Sequence, residues 1–432
     1  MILQGILKID YLLLLPVLIL IALGVLFIYS SGITSEGIQV STEYIRQIIW
    51  GTTGLLAVII LSIFNYRRFY NLSLYIYLIS LLPLLYTLLF FNTARWLRFG
   101  SIGLQMSEFV KISSIILLAR YLADTDRNKG AFSRFAIACL IIFIPMGIVL
   151  LQPDLGTALI YIAILITMLF IAGIPMRYVA LMVSCIVLTG ILLLLPLWQA
   201  YILRRTIPFL AALTNLRIVL ITVIFFLIIA VISLFGYLKF KKKYFFWFVY
   251  MSVIVVFSLG ASYAARVVLR NYQLMRLIVF LDPNVDPRGA GWNIIQSMTA
   301  IGAGGFTGRG FLQGTQSHYR FLPEQSTDFI FSIFSEETGF LGGLFVFFLF
   351  FLICHRLVVI MKKTTDPFAK YICAGLAGMY CFHFIVNIGM TIGIMPITGI
   401  PLIFMSYGGS SILTSMIGIG LALSIHVRRY IL

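Results

Sequence analysis

An all-α polytopic membrane protein of about twelve transmembrane helices, with one large extracytoplasmic loop, is the fold class this sequence predicts. Of 432 residues, 61% are hydrophobic and only 10% are charged, which lies outside the range of soluble domains. Apolar runs of about 20 residues, the length a bilayer core requires, recur along the chain. Basic residues collect between those runs, as positive-inside sorting expects.

The runs fall at 9–29, 45–64, 69–91, 105–123, 134–151, 157–173, 178–198, 209–236, 244–264, 328–353, 370–393 and 404–425. The first is too long for a signal peptide and lacks a small-residue cleavage site, so it reads as a retained span. The fourth contains charges and the sixth is short. With a cytoplasmic N-terminus, each inner loop is basic. These loops hold Arg67 and Arg68, then Arg127, Lys129 and Arg134, then Arg177, then Lys239 and Lys241 to Lys243. Arg356, Lys362, Lys363 and Lys370 follow, and Arg428 and Arg429 place the C-terminus inside as well. Outer loops also carry Arg95, Arg98, Arg204, Arg205, Arg266, Arg270 and Arg276. An anionic substrate on the outer face accounts for that surplus. The net charge of +17 is spread singly and in pairs between apolar runs, a pattern that fits anionic lipid and not nucleic acid. Cys139, Cys185, Cys354, Cys373 and Cys381 all lie in apolar runs without metal-type spacing. They read as small buried hydrophobes and indicate neither disulfides nor zinc.

The longest polar stretch, about 265–327, faces outward in this topology. In it Ile294, Ile295, Met298 and Ile301 recur at helical spacing, which predicts a short amphipathic helix at the interface. Glycines 302, 304, 305, 308 and 310 favour tight turns. No Gly-Lys-Ser/Thr ending follows them, so they are not a Walker-type loop.

With only fourteen acidic residues, the candidates for chemistry can be named in full. Asp10, Asp124, Asp126 and Asp366 lie at cytoplasmic ends, and Glu336 and Glu337 sit well inside the helix that follows Asp328. Glu36, Glu43, Glu108, Asp154, Asp282, Asp286, Glu324 and Asp328 remain on or near the outer side, with His318 as the outward histidine. A general base must come from this set. Asp328 stands out, because it ends a polar loop at the mouth of a very apolar run, where a carboxylate is costly unless used. The alternative role for Asp328 is an N-cap for the amides of Ile330 and Phe331.

Glu108 and Lys111 are three apart and share a helix face. Within an apolar run such a pair faces the protein interior or a wet cavity, either as a structural ion pair or with the ammonium on a diphosphate. Arg95 and Arg98 bracket Trp96 and suit either an interfacial anchor or an anion contact. Asp154, between Pro153 and Gly156, fits an Asx-type turn between two spans. His383 reads as an interior hydrogen-bonder, and SYGGSS at 406–411 as a backbone approach to ligand or a helix break.

Together, ARWLRFG with LQMSEFVK, LLQPDLGTAL, FLDPNVDPRGAGWNIIQS, GTQSHYRFLPEQSTDFIFSIFSEETGFLGG and MPITGIPLIFMSYGGSS resemble the SEDS family of FtsW, RodA and SpoVE proteins. The GTQS and GIPL stretches look more like its rod-shape branch than its division branch. The resemblance covers nearly all of the chain outside about 200–265. It implies a single membrane domain over 1–432 that polymerises lipid II, a lipid-linked peptidoglycan precursor, on the outer face of the bacterial cytoplasmic membrane during elongation. It makes 265–327 an extracytoplasmic catalytic loop and 209–264 an inserted helix pair, since family members usually have ten spans.

The family's catalytic aspartate maps onto Asp328 and its lysine onto Lys111 beside Glu108. Arg95, Arg98, Asp154, Glu324, Gln296 and Ser406, in the quoted motifs, become candidate substrate contacts. A divalent cation, magnesium or manganese, is implied by the resemblance alone, with no ligands identified. So are a class B penicillin-binding protein and other elongation-complex membrane proteins as partners. Three positions depart from the family pattern: Met106 replaces a proline, Gly103 an arginine, and Ser326 a common histidine. A lipid-precursor flippase, a scaffold for wall synthesis and a division-type relative are the competing readings.

Overall fold

The computed structural model describes residues 9–90, 95–99, 102–125, 130–205 and 207–428. Asp126, Arg127, Lys129 and Arg429, named above, lie outside the described residues. Helices follow the apolar runs because in hydrocarbon every backbone N–H and C=O must find an internal partner, which a helix supplies within its own segment. They are α1 (Tyr11–Ser31), α2 (Glu43–Ile63), α3 (Arg67–Phe90), α4 (Met106–Asp124), α5 (Ala131–Leu151), α6 (Leu155–Ile171) and α7 (Met176–Trp198). Then come α8 (Leu216–Phe240), α9 (Lys243–Val268), α10 (Asn271–Leu281), α11 (Ala290–Gly304), α12 (Ile330–Lys363), α13 (Pro367–Thr391) and α14 (Gly409–Arg428). Between α3 and α4 lies an antiparallel hairpin of β1 (Trp96–Phe99) and β2 (Ile102–Gln105), which sets Arg98 directly opposite Gly103.

Ten helices among the described residues are long and apolar enough to cross a membrane. Two of the twelve expected runs fall short of that mark. Helix α6 has only 17 residues, and the 19 residues of α4 include Glu108, Lys111, Arg120 and Asp124. The amphipathic helix expected near Ile294 is α11, with Ile294 buried and Met298 exposed. Glycines 302 and 304 belong to that helix, whereas Gly305, Gly308 and Gly310 take positive φ in turns. The run expected to begin at Asp328 starts as helix at Ile330, with Phe329 in the N-cap position.

The chain forms two compact units, one of residues 1–174 with 292–432 and one of residues 175–291. In the second, α9 packs on α7 and α8, and α10 on α7. Arg266 is tied there to the carbonyls of Leu213 and Leu192, and the Ser258 hydroxyl donates to the Cys185 carbonyl.

In the first unit, α13 and α14 form the buried centre. Helix α13 lies against α4, α6 and α12, and α14 lies against α2 and α4. Small residues allow these approaches: a side chain at Gly378 would collide with Thr167, and one at Gly418 with the Tyr380 hydroxyl.

Helix α12 breaks at Gly339, at φ 68° and ψ −164°. The backbone groups freed by the break are taken up by the glycine-rich segment. Arg309 and Gly310 amides donate to the carbonyls of Glu336 and Glu337 at 3.0 Å, while Phe340 and Leu341 amides donate to Gly305 and Phe306 at 2.9 and 3.2 Å. A Cβ at Gly308 would strike the Glu337 carbonyl. The glycines are there so that one backbone can lie against another.

Contacts gather at two ends of this unit. At one, Asp10 is buried between Arg356 (2.6 Å) and His426 (3.3 Å), and Tyr66 donates to Asp366 at 2.8 Å. Burial and the Asp366 carboxylate push the Tyr66 phenol up to about 12, so it remains a donor at neutral pH. Arg428 caps the carbonyls of Ser62 and Ile63 there. At the other end, Ile33 and Ser35 meet His318, Gln105 meets Asp154 and Ser410, and Tyr407 meets Ser326. Replacing Arg356 by Met leaves the Asp10 carboxylate buried with only His426. That variant should lose about 3 kcal/mol, read as a fall in melting temperature of the detergent-solubilised protein; an unchanged melt refutes a structural role for the pair.

Candidate functional site

Asp328 is half-buried at the end of the polar segment that leads into α12. Its main chain is fixed on both sides: its amide donates to the Glu324 carbonyl at 3.2 Å, and its carbonyl accepts from Asn387 Nδ2 at 2.9 Å. Two residues earlier, the Ser326 carbonyl accepts from the Tyr407 amide at 2.8 Å. Glu324, the turn's other carboxylate, is exposed at a positive φ of 50° and accepts from the Thr327 hydroxyl at 3.2 Å.

The polar loop before Asp328 is held by residues that the sequence had placed merely inside a helix. Glu336 Oε1 accepts from the amides of Thr315 (2.7 Å) and Gln316 (3.0 Å) and from the Thr315 hydroxyl. Glu337 accepts from the Leu312 amide at 3.0 Å and from the Ser30 hydroxyl of α1 at 2.5 Å. Both Glu337 oxygens and Glu336 Oε1 are thus compensated by N–H and O–H donors, while Glu336 Oε2 is buried without a partner among the described residues. Their adjacency in SEETG, within an apolar run, was the available signal.

Lys111 and Glu108 are both buried on α4 and pair at 2.9 Å. Lys111 Nζ also lies 3.1 Å from His383 Nε2 on α13. An ammonium donates there, so His383 Nε2 accepts and the Nδ1–H faces the Pro401 carbonyl at 3.3 Å. His383 is thus an interior hydrogen-bonder, and it also joins two helices.

Asp154 caps α6 through the Thr157 amide at 3.2 Å and hydroxyl at 2.9 Å, and it accepts from Gln105 Nε2 at 2.9 Å. It therefore ties the hairpin end of α4 to α6. Arg95 donates from Nε to the Gln152 carbonyl at 3.2 Å and also bonds the Pro153 carbonyl. Arg98 is exposed on β1. The Ser406 hydroxyl accepts from the Leu402 amide, and its carbonyl accepts from Gln47, so SYGGSS closes a turn before α14. Gln296 is half-buried on α11; beside it, Ser297 bonds Ser332 at 2.7 Å and the Thr391 carbonyl at 2.6 Å.

The residues divide into two neighbouring groups. One is Arg95, Asp154, Glu108 and Lys111 around the start of α4; the other is Glu324, Asp328 and Ser406 around the start of α12. The sequence reading missed Asn387, which touches the second group while its neighbour His383 touches the first. Among the described residues no group of three or more His, Cys, Asp or Glu side chains comes together to hold a metal ion.

These features define a multi-spanning membrane protein with a sparse, buried set of charges beside one half-buried carboxylate. The chain belongs to the FtsW/RodA/SpoVE cell cycle protein family, whose sequence model matches residues 10–218 and 211–431. It is 47% identical over 431 residues to the peptidoglycan glycosyltransferase RodA of Treponema pallidum, covering 99% of each chain. It is 30% identical to the peptidoglycan glycosyltransferase MrdB of Escherichia coli, over 96% of this chain and 94% of that one. Among solved structures, a chain of a peptidoglycan synthase complex that coordinates polymerization and crosslinking superposes with a TM-score of 0.65 at 25% identity, covering 98% of each. Thermus thermophilus RodA shares the fold, with a TM-score of 0.59 at 22% identity and 98% coverage of each.

Because the Lys111–Glu108 pair is enclosed, losing one partner should be worse than losing both. Lys111→Met should destabilise the protein by roughly 3–5 kcal/mol. The Glu108→Gln/Lys111→Met double variant should melt at a higher temperature than that single variant. Equal melting of the two would show that the pair is not energetically coupled.

Proposed function

We propose that this chain is a peptidoglycan glycosyltransferase that polymerises lipid II at the outer face of the cell membrane during elongation, with Asp328 as its general base. The observation that carries the assignment is the half-buried Asp328 carboxylate, set at the start of a long apolar helix on a main chain fastened from α13. The 47% identity to RodA over 99% of both chains supports the substrate and the elongation role.

In this mechanism the Asp328 carboxylate takes the proton from the acceptor sugar's 4-hydroxyl. The oxygen attacks the anomeric carbon of the donor as the bond to the lipid diphosphate breaks. The bonding pair leaves with the diphosphate, and the anomeric centre inverts. Cations near the leaving group stabilise the charge it gains. Lys111, buried beside Glu108 and His383, is assigned as a fixed positive charge near the diphosphate.

Arg98 is the second cation, since it stands across the hairpin from Gly103, where the family carries its arginine. Arg95, engaged with the carbonyls of Gln152 and Pro153, braces that end of α4. Glu324 and Gln296 are assigned to substrate hydroxyl or amide groups, and Asp154 and Ser406 to the loops that frame the site.

Orientation follows from the same assignment. Asp10, Arg356 and Arg428 lie at the end away from Asp328, which suits cytoplasmic termini and a basic inner face. Helices α4 and α6 are proposed as two further crossings, for twelve in all. Helices α8 and α9 are proposed as an inserted pair; the two matched family stretches meet at 211–218, where α8 begins. A class B penicillin-binding protein is the proposed partner, alongside other elongation-complex membrane proteins, by likeness to the synthase complex.

Asp328→Asn, purified and given lipid II, should lose polymerisation by about 10²-fold or more while still binding the substrate. Native polymer yield from that variant would sink the mechanism. Arg98→Ala should raise the KM for lipid II, and adding Gly103→Arg should recover it, because both positions serve one spot on the hairpin. A KM unmoved by either change removes Arg98 from the site.

A further inference from the structure

On α13, His383 and Asn387 lie four residues apart, so they occupy one face with about 6 Å of rise between them. Both are buried in a mainly apolar helix, His383 at 1% and Asn387 at 0% exposure. Asn387 uses its amide nitrogen on two main-chain carbonyls from different loops, Asp328 at 2.9 Å and Ile400 at 2.7 Å. His383 turns one ring nitrogen to the Lys111 ammonium at 3.1 Å and the other to the Pro401 carbonyl at 3.3 Å. The two carbonyls contributed by the second loop are consecutive. One helical turn therefore grips the backbone of the candidate base, the side chain of the candidate diphosphate contact, and the 400–401 loop between them.

We propose that Asn387 and His383 are positioning residues that set Asp328 and Lys111 at a fixed separation across the reacting centre. This rests on the assignment of Asp328 as the base. A buried amide is a costly way to fill an apolar helix. Leucine, of nearly the same shape, would pack without needing partners. The asparagine answers instead a geometric need: the turn ending at Asp328 presents its carbonyl to the interior, and Asn387 Nδ2 donates to it. Holding the base within a fraction of an ångström matters because a misplacement of about 1 Å at a reacting group costs on the order of 10²-fold in rate. Neither residue touches substrate in this scheme; each acts through another.

The test uses the full-length protein in detergent or liposomes with lipid II, measuring kcat, KM and melting temperature. Asn387→Leu removes both donors at similar volume. It should lower kcat by about 10- to 100-fold with KM changed less than about twofold, while the protein remains folded. His383→Leu should behave in the same way, whereas His383→Gln, which can accept from Lys111 and donate to Pro401, should recover most of the rate. If Asn387→Leu does not accumulate in membranes, Asn387→Ser, which is too short to bridge the two carbonyls, carries the same expectation. Folded Asn387 variants that polymerise at the native rate, or whose defect lies wholly in KM, overturn the proposal. So does a His383→Gln variant no better than His383→Leu. Asp328→Asn in the same assay separates the two levels: if it stays active the base assignment itself fails, whatever the α13 variants do.

Discussion

Polar groups in this protein have almost no water to turn to, and its arrangement depends on satisfying them from within. With 61% hydrophobic residues, each buried carboxylate, ammonium or broken backbone bond needs a protein partner, because an unpaired one costs several kcal/mol. The break in α12 shows how this is met. Interrupting the helix at Gly339 frees carbonyls at Glu336 and Glu337 and amides at Phe340 and Leu341. The 305–310 segment supplies a partner to each. The same two glutamates then use their side chains to hold residues 312–316. A stretch that looks like loose loop is thereby locked to the helix that Asp328 precedes.

The same economy governs the centre of the first unit. Helix α13 is buried on most sides, and His383 and Asn387, buried within it, are both spent on groups that belong to the candidate site. The Lys111–Glu108 pair enters the interior as a neutral unit, which limits its desolvation cost and leaves the ammonium in place on α4. Asp328 differs from these in being half-buried. A carboxylate at that boundary stays partly exposed while its backbone is held from α13. In the proposed reaction the leaving group is a diphosphate, for which fixed charges do more than mobile ones.

Much of this was legible from residue order, because hydropathy and length speak directly to a bilayer. The long helices, the buried Glu108–Lys111 pair at a spacing of three, the turn at Asp154 and the amphipathic helix around Ile294 all follow from local periodicity or local chemistry. Two expected crossings, α4 and α6, were less distinct, since charge in one and shortness in the other weaken the only signal there is. The hairpin at 96–105 has no strong strand pattern of its own. Its register, which sets Arg98 directly across from Gly103, is decided by the pairing of the two strands.

Sequence alone determined the membrane class, the family and a short set of candidate residues, because those are properties of composition and of short, ordered motifs. Tertiary structure decided which of them work together. It showed that Glu336 and Glu337 belong to the preceding loop and that the glycines of 305–310 serve a broken helix 30 residues on. It also showed that Asn387 reaches Asp328 across 59 positions. Such pairings arise when distant segments must satisfy one another's hydrogen bonds in a dry interior, and no local pattern records them.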